Sequence, residues 1–372
     1  MVRRTGAARN TQTAKNRKKF RVVYTSAPMP IPELSVRPVT DPTKAYRYRD
    51  GITAADLITA ALVHLDFYTW LAANPSTPER IAEALGLAAR PLDVLLTLSA
   101  ANGFIVRDGA VCAVTGVARE HLVDGSPFNL TPYFASFKDR PIVREFLEVL
   151  RTGKPGNWGG NSATFDWHRA METESFARSF TAAMDCRGHF LAHAMADAVG
   201  LSGRERVLDI GGGSGIYSCV LAARYPELQA TVFDQAPVDR IAARLIAERD
   251  CTRQVSVHAG SFFGDAWPTG YDTHLFSNVL HDWDAPQVRD LLRRSFDALP
   301  SGGLVILHDA FINADKTGPL PVAEYSAILM HATQGKCYAT TEYAEMLADA
   351  GFGSVWHSDT VVDRGVMTAR KP

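Results

Sequence analysis

The stretch Val207-Leu208-Asp209-Ile210-Gly211-Gly212-Gly213-Ser214-Gly215 decides the fold of this chain. Its apolar first half predicts a buried strand, and the segment Ile216–Arg224 after the glycines continues at helical spacing. A strand, a tight glycine turn and a helix form the usual start of a doubly wound α/β domain. Glycines allow the sharp turn and the close approach of a ligand, and the helix start offers free N–H groups to that ligand.

Residues around this turn distinguish between two classes of cofactor. A dinucleotide fingerprint requires a third glycine where this chain has Ile216, which disfavours a nicotinamide oxidoreductase. The carboxylate of Asp209, just ahead of the glycines, would repel a negatively charged pyrophosphate. It suits a ligand with an ammonium or sulfonium group. Asp234 ends the next predicted strand, where an acid about 20 residues on typically accepts both ribose hydroxyls. The pattern therefore predicts S-adenosylmethionine.

Composition limits the class of protein. With 372 residues the chain exceeds one ordinary domain, and 46% apolar with 21% charged residues is typical of a soluble globular protein. The net charge of −1 gives no general attraction to nucleic acid or membrane, and no apolar run approaches the roughly 20 residues of a spanning helix. The five scattered cysteines contain no Cys-x-x-Cys pair, which predicts free thiols, a cytoplasmic location and no metal site.

The N-terminal part divides into an arm and a small helical domain. Residues 1–45 are basic and then proline-rich, which predicts a disordered arm, or a translation start at Met29. Residues 46–155 read as a helix over 52–73, two shorter helices, and a strand pair at 104–106 and 111–114, a winged-helix pattern.

A DNA-binding regulator is the alternative function that this pattern raises. The helix at the place of a recognition helix, Pro91 to Leu98, is apolar and contains no Lys or Arg. A reader of the major groove needs basic and amide side chains there. We therefore expect this helix to pack against a partner rather than against DNA.

Residues 156–372 form the predicted cofactor-binding domain. After a long helix over 175–199, strands alternate with helices, so we expect a mainly parallel sheet with helices on both faces. The further strands are predicted at 230–233, 255–258, 273–276, 304–308, 355–358 and 365–369. Ligands bind at the carboxyl ends of such strands, and these ends hold Asp209, Asp234, Ser261, His281 and Asp309.

The best candidate for chemistry is His281, which follows the fourth strand of this domain. Asp309 ends the fifth strand, and an acid beside a histidine orients the ring and stabilises the imidazolium, as a general base requires. Trp283 could stack on adenine or lie in the core. By spacing alone, the stripe of Phe176, Phe180 and Met184 on one helix face predicts core packing.

The chain resembles the small-molecule O-methyltransferases of the caffeic acid and acetylserotonin type, which have bacterial members in natural-product pathways. The resemblance runs from about residue 50 to the end and rests on four motifs, which are Val207 to Gly215, Phe233-Asp234-Gln235-Ala236-Pro237-Val238, Leu280-His281-Asp282-Trp283 and Gly302-Gly303-Leu304-Val305-Ile306-Leu307-His308-Asp309. It implies a Rossmann-like methyltransferase domain, an N-terminal winged-helix-like dimerisation domain that does not bind DNA, a homodimer, and a small aromatic acceptor.

The resemblance also implies roles for individual residues. His281 becomes the catalytic base with Asp309 beside it, and Phe176, Phe180, Met184 and Cys337 become part of the acceptor pocket rather than plain core. The residues assigned to the cofactor are Asp209, Gly211, Gly213, Gly215, Asp234, Ser261, Phe262, Asn278 and Trp283.

Three positions depart from the family pattern. The family flanks its histidine with two glutamates, whereas this chain has Asp309 and Cys337 at those positions, and Ser261 replaces an acid near the adenine. With one carboxylate missing, a C- or N-methyltransferase, or an enzyme that binds S-adenosylmethionine without methyl transfer, remains the alternative to O-methylation.

Overall fold

The structure is a computed structural model that describes residues 33–156 and 167–372, with the backbone alone for 167 and 168. Its helices are α1 Thr43–Asp50, α2 Ala54–His64, α3 Phe67–Ala73, α4 Pro78–Leu85, α5 Ala89–Ala101, α6 Gly116–His121, α7 Thr131–Ala135, α8 Pro141–Thr152, α9 Trp167–Met171, α10 Glu174–Ala198, α11 Ile216–Arg224, α12 Val238–Glu248, α13 Ala285–Ala298, α14 Leu320–Ala332 and α15 Thr340–Ala350. The strands are β1 Ile105–Asp108, β2 Val111–Val114, β3 Arg206–Ile210, β4 Gln229–Asp234, β5 Val255–Ala259, β6 Thr273–Ser277, β7 Leu304–Asp309, β8 Gly353–Asp359 and β9 Gly365–Arg370.

The large sheet has seven strands in the order β5-β4-β3-β6-β7-β9-β8. Strands β3 to β7 are parallel, and β9 is antiparallel to both β7 and β8. This is the predicted doubly wound α/β domain, and it confirms the fold class. Because β4 and β6 pair with opposite edges of β3, the strand order reverses there, and a ligand crevice opens at the carboxyl ends of these strands.

The helical N-terminal part has the predicted winged-helix arrangement, with β1 and β2 as an antiparallel wing. The predicted single helix over 52–73 is wrong in one respect. It is two helices, because Asp66 takes a left-handed φ of 49° between α2 and α3. The apolar α5 has Leu92, Leu95 and Leu98 fully buried in one core with residues of α14, so it does not present these side chains to solvent.

A partly buried ion cluster joins α5 to the segments around residues 316, 336 and 342. The carboxylate of Asp93 accepts from Lys316 at 3.0 Å and from Lys336 at 2.5 Å, and both lysines also reach Glu342. Burial would raise the pKa of Asp93, but Lys336 and Lys316 outweigh it and lower that pKa to about 2. Asp93 is therefore ionised at any physiological pH, and its contact with Lys336 fixes the segment around that residue.

Some predictions fall outside the described residues. The arm of residues 1–45 does so as far as residue 32, and α1 begins already at Thr43. The sequence Gly153 to Gly160 predicts a loop, of which residues 157–160 also lie outside. None of the five cysteines forms a disulfide. In the described ranges no helix has the length and apolar character to cross a membrane, and no group of three or more His, Cys, Asp or Glu could hold a metal ion.

Candidate active site

A cavity opens at the carboxyl ends of β3, β4 and β6, between the sheet, α10 and α14. The glycine turn forms its floor. Gly211 and Gly213 both have left-handed φ angles, of 67° and 58°, which favour glycine. A Cβ added to Gly213 would meet no atom within 4 Å, so there is open space above the turn where it lines the cavity.

The carboxylate of Asp234 lies beside this turn. Its Oδ2 accepts from the backbone N–H of Gly213 at 3.0 Å, and its Oδ1 accepts from the backbone N–H of Gln235 at 2.8 Å. The side chain lines the cavity with 8% of the residue exposed. Burial raises the pKa of Asp234 to about 6, although these two hydrogen bonds act in the opposite direction.

An aromatic wall lies next to the acid. Trp283 packs edge to face on Phe262 and Phe263, with ring centroids 5.7 and 4.6 Å apart. Ser261 begins this wall, and its Oγ accepts from the backbone N–H of Gly264. The wall offers flat apolar surface to a planar ligand group.

His281 also lines the cavity and lies in a short 3₁₀ turn, Leu280–Asp282, that follows β6. Its Nδ1 makes a hydrogen bond with Oδ1 of Asp309, and both residues are buried. Asp309 also accepts from the backbone N–H of Ala310 at 2.8 Å and from the hydroxyl of Tyr343 at 3.4 Å. The carboxylate thus holds Nδ1 as the donor, and Nε2 carries the lone pair.

A second carboxylate approaches the same ring. Oδ1 of Asp282 lies 3.7 Å from Nε2 of His281, too far for a hydrogen bond but close enough to stabilise a positive imidazolium. Burial raises the pKa of Asp282 to about 6. Asp282 lines the cavity, so it could also contact a ligand that reaches His281.

Ten of the residues that the sequence assigns to the site line this one cavity. They are Gly211, Gly213, Asp234, Ser261, Phe262, Asn278, His281, Trp283, Phe180 and Met184. Within the described ranges, five other assigned residues do not reach the cavity wall. They are Asp209, Gly215, Asp309, Phe176 and Cys337.

Asp209 lies beneath the glycine turn instead of facing a ligand. The residue is fully buried, its Oδ2 accepts from the hydroxyl of Ser218 at 2.7 Å, and a Cβ on Gly212 would collide with its carboxyl group. Burial raises the pKa of Asp209 to about 7. The expectation that this acid faces a cationic group of the ligand is therefore not supported by its position; it supports the turn from below.

The other four residues lie behind the residues that line the cavity. Asp309 is described above. Gly215 lets the start of α11 pack closely, since a Cβ there would lie 3.0 Å from Ile246. Phe176 stacks on Phe180 with centroids 6.2 Å apart. Cys337 is buried, and its backbone N–H donates to Oγ of Ser326 at 3.1 Å.

Several wall residues escaped the sequence reasoning. Besides Asp282, they include Arg187 of α10, Tyr217 at the start of α11, and Tyr325 and Ile328 of α14. Arg187 continues the helical face of Met184 at a spacing of three, which was a usable signal. Helix α14 was not predicted at all.

A glycine behind His281 gives a first testable prediction. A Cβ on Gly335 would overlap the carbonyl group of His281, and Arg90 holds the carbonyl oxygen of Gly335 at 2.7 Å, so neither segment can move easily. We expect Gly335→Ala to lower the free energy of unfolding by about 1–3 kcal/mol, the usual cost of overpacking. Urea unfolding measures it. Gly116→Ala, at an exposed helix start with no atom within 4 Å, is the matched control; equal stability of both variants would contradict the prediction.

Comparison with known proteins identifies the family. Residues 149–353 match the model of the O-methyltransferase domain. The chain is 32% identical to 3-hydroxy-5-methyl-1-naphthoate 3-O-methyltransferase of Streptomyces sahachiroi, over 84% of this chain and 90% of that protein. It is 30% identical to L-tyrosine C(3)-methyltransferase of Streptomyces lavendulae, over 81% and 84%. The crystal structure of an O-methyltransferase family 2 protein from Planctomyces limnophilus in complex with apigenin has a TM-score of 0.82 at 29% identity, covering 92% of this chain and 99% of that one.

These findings confirm the resemblance drawn from the motifs, and they agree with the Rossmann-like sheet and the cavity at its switch point. The chain is therefore an enzyme that uses S-adenosyl-L-methionine, and it belongs to the O-methyltransferase family.

Proposed function

We propose that the enzyme transfers a methyl group to a hydroxyl of a small aromatic metabolite, with His281 as the general base. The observation that carries this proposal is the hydrogen bond from Nδ1 of His281 to the buried Asp309. It leaves the basic Nε2 at the cavity wall, where a hydroxyl proton can be taken. A small aromatic acceptor agrees with the naphthoate relative and with the apolar wall residues Phe180, Met184 and Ile328.

The residues of the cavity fit S-adenosylmethionine. The open space above Gly213 would admit the cofactor. The carboxylate of Asp234 would accept hydrogen bonds from two ribose hydroxyls. Phe262 and Trp283, which pack on each other, would offer aromatic surface to the adenine. We assign the cofactor to this end of the cavity and the acceptor to the end at His281.

The protein has to remove a proton from the acceptor and to position the acceptor for methyl transfer. When bound, S-adenosylmethionine supplies a methyl group already activated by its sulfonium centre. His281 removes the proton of the acceptor hydroxyl through Nε2, and Asp309 keeps the ring oriented and offsets the imidazolium charge. Asp282 adds a second carboxylate, with its Oδ1 3.7 Å from Nε2 of His281. The apolar wall holds the nucleophile in line and excludes water.

C-methylation is the second candidate, favoured by the L-tyrosine C(3)-methyltransferase relative and by Cys337 in place of a glutamate. Loss of the hydroxyl proton also activates the ring carbon next to that hydroxyl. His281 alone therefore does not separate the two reactions, and the product must.

The test is transfer of label from methyl-labelled S-adenosylmethionine to three acceptors: 3-hydroxy-1-naphthoate, 2-naphthol and L-tyrosine. Mass spectrometry and NMR of the product locate the new methyl group. A methyl ether supports the proposal, and a methyl group on carbon or nitrogen supports the alternative. If none of these, nor an extract of small aromatic metabolites, takes up label while S-adenosylhomocysteine binds, the proposed acceptor class is wrong.

We also propose that residues 46–155 form the dimerisation domain and residues 156–372 the catalytic domain of a cytoplasmic homodimer. Large apolar side chains are exposed in the segment 128–137, with Phe128 at 59% and Tyr133 at 73%, which suits a surface that a second copy covers. The five unpaired thiols suit a reducing compartment.

The dimer gives a second prediction. We expect the wild-type chain to sediment as a dimer and Tyr133→Glu to shift it toward the monomer, because a buried charge opposes the contact. Trp356→Glu, an exposed aromatic on β8 outside the helical part, is the control. A monomeric wild type, or a Tyr133→Glu variant that stays dimeric, would speak against this surface.

A further inference from the structure

Arg187 stands out among the charged groups of the cavity. It lies on α10 at a spacing of three from Met184, and both residues line the cavity. Its Nη1 donates to the hydroxyl of Tyr325 at 3.1 Å. No carboxylate in the described ranges forms an ion pair with it. A guanidinium stays protonated at any accessible pH, so the wall carries a positive charge that no carboxylate of the described residues contacts.

The acids near Arg187 do not contact its guanidinium group. Asp50 is buried and pairs with Arg364 at 3.1 Å and with Arg49 at 3.2 Å. Asp282 lies with its Oδ1 3.7 Å from Nε2 of His281. Both carboxylates are close enough to interact with the charge of Arg187 through space, but neither contacts it. A partly buried cation without a counterion favours a ligand that brings a negative charge.

The place of Arg187 indicates where that charge would sit. Its partner Tyr325 packs edge to face on His281, with ring centroids 5.7 Å apart. The next residue along α10, Gly188, packs against Ile216 at the start of α11. Arg187 therefore lies between the glycine turn and the base. A planar guanidinium fork matches the two oxygens of a carboxylate.

We propose that Arg187 is a carboxylate-binding residue of the cavity. The carboxylate can come from two sources: the methionyl end of the cofactor, or the aromatic acceptor. The acceptor source rests on the proposed function above, and the cofactor source does not.

Two pairs of ligands, each with and without the carboxylate, test the proposal by isothermal titration calorimetry. The first pair is S-adenosylhomocysteine and its decarboxylated analogue. The second is 3-hydroxy-1-naphthoate and 2-naphthol, titrated with S-adenosylhomocysteine present. In one pair we expect the wild type to prefer the carboxylate form by about 10- to 100-fold, and Arg187→Gln to lose that preference, as for a hydrogen-bonded charge pair. The pair that responds identifies the source.

Arg178→Gln is the matched control, since Arg178 lies on the same helix, is exposed and pairs with Glu174 at 2.6 Å. Arg187→Lys keeps the charge but not the fork, so it should retain part of the preference. The proposal is wrong if the wild type shows no preference within either pair, a result that needs no variant, or if Arg187→Gln keeps the preference. Because binding is measured without turnover, a failure of methyl transfer would count against the proposed function and not against this one.

Discussion

Replacing His281 with alanine is expected to lower kcat about 10²- to 10⁴-fold, the usual contribution of a general base. The ring is held through Nδ1 by Asp309, and its Nε2 is the nitrogen that can take the acceptor proton. Affinity for S-adenosylhomocysteine should stay unchanged, because we assign the cofactor to the turn at Gly213 and the carboxylate of Asp234 and not to His281. Single-turnover kinetics and calorimetry measure the two quantities separately.

Alanine at this position leaves the buried Asp309 without its partner, so the companion variant His281→Asn keeps an N–H donor toward the acid while removing the base. Both variants should lose turnover alike. The matched control is His64→Ala, because the ring of His64 hydrogen-bonds to the carbonyl oxygen of Lys138 and does not line the cavity. Turnover retained by His281→Asn would refute the assignment of the base.

Where local pattern and burial agree, the sequence was sufficient to predict the fold. Helix α11 was predicted and found at Ile216–Arg224, because a glycine turn marks its start and the apolar spacing continues to its end. Strands β4, β6 and β7 follow the same logic, as each is a short and largely apolar segment that ends in a polar residue. Strand ends then place Asp234 and His281 at one edge of the sheet without any further information.

Helix α14 was not predicted because most of its residues are buried. It packs against α1, α2, α5 and α8, and most of its residues, including Tyr325 and Ile328, are buried. Such a helix has no polar face, so the periodicity that predicts surface helices is absent. The acceptor end of the cavity depends on this helix, which is why its residues escaped the sequence reasoning.

The direction of individual side chains is the second feature that the sequence pattern did not predict. Asp209 was expected to face the ligand because it comes just before the glycines, but the strand β3 is buried on both faces. Its carboxylate turns to the hydroxyl of Ser218 beneath the turn. Arg187 shows the converse: an arginine on a long helix suggests solvent, and only packing against Tyr325 brings it to the cavity.

The protonation of Asp234 should make cofactor binding depend on pH. Burial raises the pKa of Asp234 to about 6 in the free protein, and ribose hydroxyls would donate to the ionised form. Binding therefore favours the carboxylate, so affinity is full above that pKa and falls up to about tenfold per pH unit below it. Asp209 and Asp282 titrate in the same range. The contribution of Asp234 to the pH dependence is thus the difference between two pH profiles of affinity, that of the wild type and that of Asp234→Asn, whose side chain does not titrate.

Replacing Asp234 with alanine should weaken S-adenosylhomocysteine binding at pH 8 by about 100-fold or more. Each hydrogen bond to a charged group contributes about 1.5–3 kcal/mol, and the cofactor would lose two. The backbone N–H groups of Gly213 and Gln235 would also lose their acceptor, so the turn itself would loosen. Glu248→Ala on α12, an exposed acid paired with Arg244 at 2.6 Å, controls for loss of charge. Calorimetry on both variants measures the effect. Unchanged affinity in Asp234→Ala would mean that the ribose lies elsewhere, and the cofactor end of the cavity would have to be reassigned.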